Sequence, residues 1–341
     1  MTQTSPPPAP GQTLAPVAMF VYNREDNTLA TLRALLANTL APQTQLYVFS
    51  DGGRDAASWE QVRRVRRVLH EVEAEVTRTG ALAAMTIVER PENFYLERNV
   101  IEGIGHVLSC HATVVVLEDD IVTSPHFLQF MNEALRLYRD EPRVMHVTGF
   151  TRIERDEDFY FTRFMAGWGW GTWADRWHGH FRHYATREEA LAGLTAAECS
   201  RLEYGGVFPC LGQLERRPIP WDICWGIAIC RAGGLCLAPG RTLVRNIGLD
   251  AGTHFRSLDV RLPLPGRRVV VPLSRLIQRF EFDREPSATP MALRRVAAEP
   301  SAAVEAAMGE ALRDWGIRYT WFGAAVRRAY RWLRRPTDCR G

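Results

Sequence analysis

Thr113-Val114-Val115-Val116-Leu117-Glu118-Asp119-Asp120 sets a run of β-branched and aliphatic residues directly before three carboxylates. A continuous apolar run of this kind reads as a strand buried on both faces of a parallel sheet, because a half-exposed strand would alternate with polar residues. Three adjacent carboxylates at its end are costly unless a positive group meets them. In an open α/β sheet, the carboxyl end of a strand is also where ligands bind. The triplet is therefore a candidate site for a hard divalent cation, Mn2+ or Mg2+, bridging carboxylate oxygens to a phosphorylated substrate. The competing reading is a solvated turn, or a helix N-cap ahead of Ser124-Pro125.

Working outward from this strand, the same pattern recurs on its N-terminal side. Pro16 to Tyr22 reads as a buried strand, Asn23-Arg24-Glu25-Asp26-Asn27 as a polar turn, and Thr28 to Asn38 as a helix with Leu29, Leu32, Leu35 and Leu36 on one face. Gln45 to Ser50 is a second strand, stopped by Asp51-Gly52-Gly53, and Ala57 to Arg78 a long amphipathic helix. Met85 to Arg90 and Asn99 to Leu108 continue the alternation as strand and helix. Strand and helix in turn predict an α/β fold, a doubly wound and mostly parallel sheet flanked by helices. No Gly-x-Gly-x-x-Gly opens the first helix, which speaks against a dinucleotide fold.

Beyond the triplet, His126 to Arg139 reads as a helix and Val144 to Thr148 as a strand. From Gly149 the periodicity loosens, and aromatics and glycines crowd Phe159 to Trp177. The Trp168, Trp170 and Trp173 side chains there offer either a sugar-stacking platform or core. Thr186 to Tyr204 and Ile223 to Arg231 are helical, and Cys236 to Pro239 is a short strand. Arg256 to Pro290 reads as extended, and Trp315 to Arg335 as a basic, aromatic helix suited either to an anionic membrane surface or to packing. These divisions give a disordered leader (residues 1–14), an α/β half (15–150), a second half (151–258) and a C-terminal extension (259–341).

The chain has 341 residues, 46% hydrophobic and 24% charged, with a net charge of +3, which suits a globular protein and gives no reason to expect a nucleic-acid partner. It contains no lysine, so all basic residues are arginine. This excludes a Walker-A lysine and a Schiff-base lysine, and leaves arginine, metal or backbone amides to hold phosphates. The seven cysteines are odd in number and lack Cys-x-x-Cys spacing, which favours reduced thiols over disulfides or zinc. The proline-rich N-terminus has no apolar signal core, so the expected location is cytoplasmic, at most peripheral on the inner face of the plasma membrane.

Val-Val-Leu-Glu-Asp-Asp-Ile resembles the metal-binding motif of GT-A nucleotide-sugar glycosyltransferases, in the form seen in the N-acetylglucosaminyltransferase I family and related bacterial polysaccharide enzymes. Further segments agree in order: Tyr22-Asn23-Arg24, Ser50-Asp51-Gly52, Gly167-Trp168-Gly169-Trp170-Gly171-Thr172-Trp173, Trp221-Asp222, and Asn246-Ile247-Gly248 with Gly252-Thr253-His254-Phe255. The resemblance covers residues 15 to 258. It implies a GT-A-like fold with an acceptor-side subregion, and metal-dependent transfer of a sugar, with inversion, from a nucleoside-diphosphate sugar that is UDP-linked. The implied acceptor is a glycan or lipid-linked oligosaccharide. Asp120 would be the direct metal ligand, with Glu118 and Asp119 contacting the sugar or ribose or supporting the metal site. Asp222 would be the catalytic base.

Arg24 would meet the nucleotide, or else form a surface ion pair with Glu25 or Asp26. Asp51 would lie near the nucleoside, or else serve only its turn. Trp170 would face the sugar, and His254 would contact metal or phosphate in a closing loop, or be structural. Two rival functions use the same residues: a metal-dependent phosphohydrolase or nucleotidyltransferase, and a non-catalytic nucleotide-sugar-binding relative.

Overall fold

The computed structural model describes residues 13–208, 210–248, 260–264, 267–271 and 284–314. Most of the leader, His254 and the basic aromatic stretch 315–335 lie outside these residues. Strand and helix alternate as β1 (Val17–Val21), α1 (Glu25–Leu36), β2 (Gln45–Ser50), α2 (Ala56–Thr79), β3 (Ala84–Glu89), α3 (Tyr95–Cys110) and β4 (Thr113–Glu118). Next come β5 (Ile121–Thr123), α4 (Phe127–Leu137), β6 (Val144–Thr148), β7 (Phe159–Thr162), β8 (Trp170–Trp173) and α5 (Ala174–His180). The short helices α6 (Arg187–Leu191) and α7 (Ala196–Leu202) lead to α8 (Trp221–Arg231), β9 (Leu235–Pro239) and β10 (Val244–Asn246). A hairpin of β11 (Val260–Leu264) and β12 (Arg267–Val271) follows, and residues 302–314 form a further helix, α9.

Eight strands make one sheet in the order β3-β2-β1-β4-β8-β6-β9-β7. Strands β3, β2, β1 and β4 are parallel, β6 and β9 share their direction, and β8 and β7 run against it. This is the mostly parallel α/β sheet expected from the sequence. Successive residues of a strand face opposite sides, which explains the unbroken apolar runs. Val17, Met19, Val115 and Leu117 pack with α1, α2 and α4 on one face. Ala18, Phe20, Val114 and Val116 pack with α3 and α8 on the other.

The predicted strands match to within a residue, but several helices differ. Helix α1 starts at Glu25, three residues early, because Glu25 and Asp26 suit a first helical turn. Helix α3 likewise starts at Tyr95 rather than Asn99. The region from Thr186 to Tyr204 is two short helices, each with a threonine N-cap, broken at Gly193 with φ +78°. The Gly-Trp segment contributes β8, a strand in the middle of the sheet, between β4 and β6. Residues 284–314 pack against the rest of the fold: Met291, Leu293 and Ala298 join the α1/α2/α4 core, and Val304, Met308 and Leu312 cover β7 and β9. Among the described residues, no helix is long and apolar enough to cross a membrane.

Candidate active site

The chain leaves β1 toward β2 and β3, then returns across the sheet to place β4 on the other flank of β1. That reversal makes the carboxyl ends of β1 and β4 a topological switch point, the crevice where open α/β sheets bind ligands. Arg24 follows β1, and Glu118-Asp119-Asp120 closes β4, with Phe20 directly opposite Glu118 in the register. The fold therefore brings the cation and the acids together across about a hundred residues of chain.

Arg24 spans two of the three acids. Its Nε donates to Asp119 Oδ2 at 3.3 Å and its Nη1 to Asp120 Oδ2 at 2.8 Å, while Nη2 donates to Asp119 Oδ1. The partners are thus Asp119 and Asp120, not the adjacent Glu25 and Asp26. Burial opposes the charge on Arg24, but Asp119 and Asp120 outweigh it and raise its pKa. Burial raises the Asp119 pKa overall, although Arg24 and the backbone N–H of Tyr22 pull it down. Both Asp119 oxygens face the guanidinium, so the ionised pair is the form that fits this geometry. Thr31 Oγ1 donates to the Asp119 carbonyl and ties α1 to the same turn.

Strand β10 lies antiparallel to β5, pairing Asn246 with Ile121. This carries Ile247 and Gly248 onto the triplet, where the Ile247 N–H donates to the Asp120 carbonyl at 2.9 Å. A Cβ on Gly248 would overlap both Asp120 Oδ2 and Arg24 Nη1, so the backbone comes close enough only as glycine. Asp120 Oδ1 has no hydrogen-bond partner among the described residues.

Glu118 belongs to the other side. Strand parity puts it with Val114 and Val116, on the α3/α8 face. Burial raises its pKa above the carboxylate range, helped by Asp120 and Asp119, opposed by Arg24, and raised further by Asp222. Asp222 therefore lies within electrostatic reach of the triplet. It occupies the first turn of α8, where its Oδ1 accepts from the Ile223 N–H at 2.9 Å. Trp221 beside it stacks on Trp170 at 5.3 Å and 15°.

That stack revises the place of Trp170, which is fully buried with His146 on its other face at 5.1 Å. It has no ring face to offer a sugar and instead backs Trp221. Trp173 is likewise core, and Trp168 is half-buried against Phe150. Asp51 ends β2 and is 5% exposed. Its carboxylate accepts from Gly52 N, Phe94 N and Asn93 Nδ2, fastening the end of β2 to the loop before α3. Burial raises its pKa, against the N–H groups of Phe94 and Gly52.

The sequence reading missed a neighbouring aromatic ledge. The Arg54 guanidinium lies 5.5 Å from the Tyr22 ring and 4.7 Å from that of Tyr95. Tyr95 is 53% exposed and holds φ +58°, a left-handed conformation a tyrosine rarely adopts. No periodicity signals it, because the strain lies in the backbone.

The donor set suits a hard cation only in part. Among the described residues, no three of His, Cys, Asp and Glu are arranged to hold a metal ion. One cation with a single protein ligand does fit: Asp120 Oδ1 is a hard oxygen, and such ions are often held by one carboxylate, waters and substrate phosphates.

No family model matches the sequence, and no curated protein matches it. Among solved structures, S. aureus TarS 1-349 aligns with a TM-score of 0.34 and 12% identity over 48% of this chain and 48% of that one. A structure of S. aureus TarS gives 0.32 and 11% over 48% and 29%. TarS 1-349 in complex with UDP gives 0.33 and 12% over 52% of each chain. The chain thus spans about half or less of the length of these neighbours.

Proposed function

We propose that this chain is a GT-A-type glycosyltransferase that moves a sugar from a nucleoside-diphosphate sugar, UDP-linked, to a hydroxyl of a glycan or lipid-linked oligosaccharide, with inversion. The observation that supports it is the meeting of Arg24 with Asp119 and Asp120 at the switch point of the sheet, with Asp222 within electrostatic reach of Glu118. The acids divide by face, as a displacement reaction needs. Asp119 and Asp120 lie with Arg24 on the nucleotide side, and Glu118 faces the side of Asp222.

In this reading the acceptor oxygen attacks the anomeric carbon, and the bond from that carbon to the diphosphate oxygen breaks. The diphosphate leaves with the electron pair, and Asp222 takes the acceptor's proton. Two aspartates against one guanidinium leave the donor side short of positive charge, and a diphosphate adds more negative charge. A divalent cation, Mn2+ or Mg2+, held at Asp120 would supply the positive charge that the departing diphosphate needs. Two-metal hydrolysis fits less well, since Asp51, the other acid at a strand end, already serves three N–H donors.

The test is a thermal-shift panel of nucleotides and nucleotide sugars with Mn2+, since a ligand of the native state raises the unfolding midpoint. A selective shift by one nucleoside-diphosphate sugar is expected, and no shift with any of them would overturn the reading. Asp222→Asn should keep donor binding and lower transfer by about 10²- to 10⁴-fold. Unchanged transfer in that variant would remove Asp222 as the base.

A further inference from the structure

We propose that Arg24 is the resident cation of the acidic pair and bars a divalent metal ion from Asp119 and Asp120 until an anionic diphosphate draws the guanidinium away. This deepens the reading above, because a metal ion is expected there only if the donor is a nucleoside diphosphate.

All three guanidinium nitrogens of Arg24 are committed to the two carboxylates. The pair is sheltered: the side chains of Arg24 and Asp119 are 24% and 4% exposed. Ion pairs at this depth are screened far less than surface ones. Gly248 closes one approach, its backbone lying against both Asp120 Oδ2 and Arg24 Nη1. A metal ion arriving alone finds Asp120 Oδ1, while the other three oxygens of the pair are engaged.

A diphosphate changes the balance, because its oxygens match the guanidinium fork as carboxylates do. When Arg24 turns to phosphate, Asp119 and Asp120 lose their countercharge, and a divalent ion becomes the group that offsets the buried charge. Metal and diphosphate then bind together, each weakly alone. Linkage requires the effect to be equal in both directions.

Free Mn2+ measured by electron paramagnetic resonance reads this without any turnover. Wild type should bind Mn2+ poorly without nucleotide and at least about tenfold more tightly with UDP. Arg24→Gln should bind Mn2+ alone at least about tenfold more tightly than wild type, and adding Asp120→Asn to it should remove the gain. Arg24→Lys keeps a charge but cannot bridge both carboxylates, so its affinity should fall between the two. It also guards against a glutamine variant that fails to fold. Wild type binding Mn2+ alone as tightly as the variants would overturn the proposal, as would a lysine variant that binds no better than wild type. Failure to bind any nucleoside diphosphate would instead strike the proposed function, leaving the comparison of Mn2+ affinities to decide on Arg24.

Discussion

His146 shows how one buried residue sets a pH limit on the fold. Its Nε2–H donates to the Ala166 carbonyl at 3.0 Å, and its Nδ1 accepts from Trp225 Nε1–H at 3.2 Å. Both nitrogens are in use, and a proton on Nδ1 would face the indole N–H. Burial accordingly lowers its pKa from 6.5 to about 4. The unfolded chain takes up this proton near pH 6.5 and the folded chain only near pH 4, so stability falls as pH drops through that window. Between pH 7 and 5, wild type should lose about 2 kcal/mol more than His146→Gln, measured by urea unfolding at both pH values. Equal losses would show that the histidine does not titrate on unfolding. At this scale the sequence was half legible. The acids and Arg24 stood out by type, but their pairing joins residues about a hundred positions apart. Trp170 read as a ring for sugar, because composition carries no information about which aromatic is covered.

Elements were more legible than contacts, for a physical reason. Buried parallel strands are continuous apolar runs, and β1, β2, β4 and β6 were found at nearly their full length. Strand β8 was not, because four residues, Trp170-Gly171-Thr172-Trp173, are too few to show a period. Gly171 is nevertheless what lets this strand enter the sheet. A Cβ there would stand 2.8 Å from the Val114 carbonyl oxygen and 3.1 Å from Met131 Cε on α4. Gly171→Ala should therefore press β8 away from β4, since the carbonyl oxygen cannot yield as the methionine tip can, and cost about 1–3 kcal/mol, the range for overpacked cores. A denaturant midpoint equal to that of wild type would mean that the strand and helix have room to spare. The strand also positions the site, since Trp170 on β8 supports Trp221 and through it the helix turn that bears Asp222.

For the whole molecule, the stretch read as a separate C-terminal extension contributes to the body of the fold through residues 284–314. Tyr138, just past the end of α4, reaches this strap, its hydroxyl accepting from the Val296 N–H at 3.1 Å, and Ser287 N–H donates to the Thr242 carbonyl at 2.8 Å. Low periodicity hid the strap in the sequence, because an extended segment pinned by scattered contacts has no repeat to detect. Helix α9 then lays Val304, Met308 and Leu312 over Ile153, Tyr160, Phe164 and Ala238. Leu312 is fully buried there, so Leu312→Ala removes transfer energy and leaves a cavity. The expected cost is about 2–5 kcal/mol in urea unfolding. Strand β7, under this cluster, is four strands from β4, or about 19 Å at the usual strand spacing. Changes that far apart act independently, so Leu312→Ala should bind nucleoside diphosphate as wild type does wherever both are folded. A loss of binding together with stability would instead show that α9 and the switch point move as one unit, and that the strap belongs to the machinery of the site.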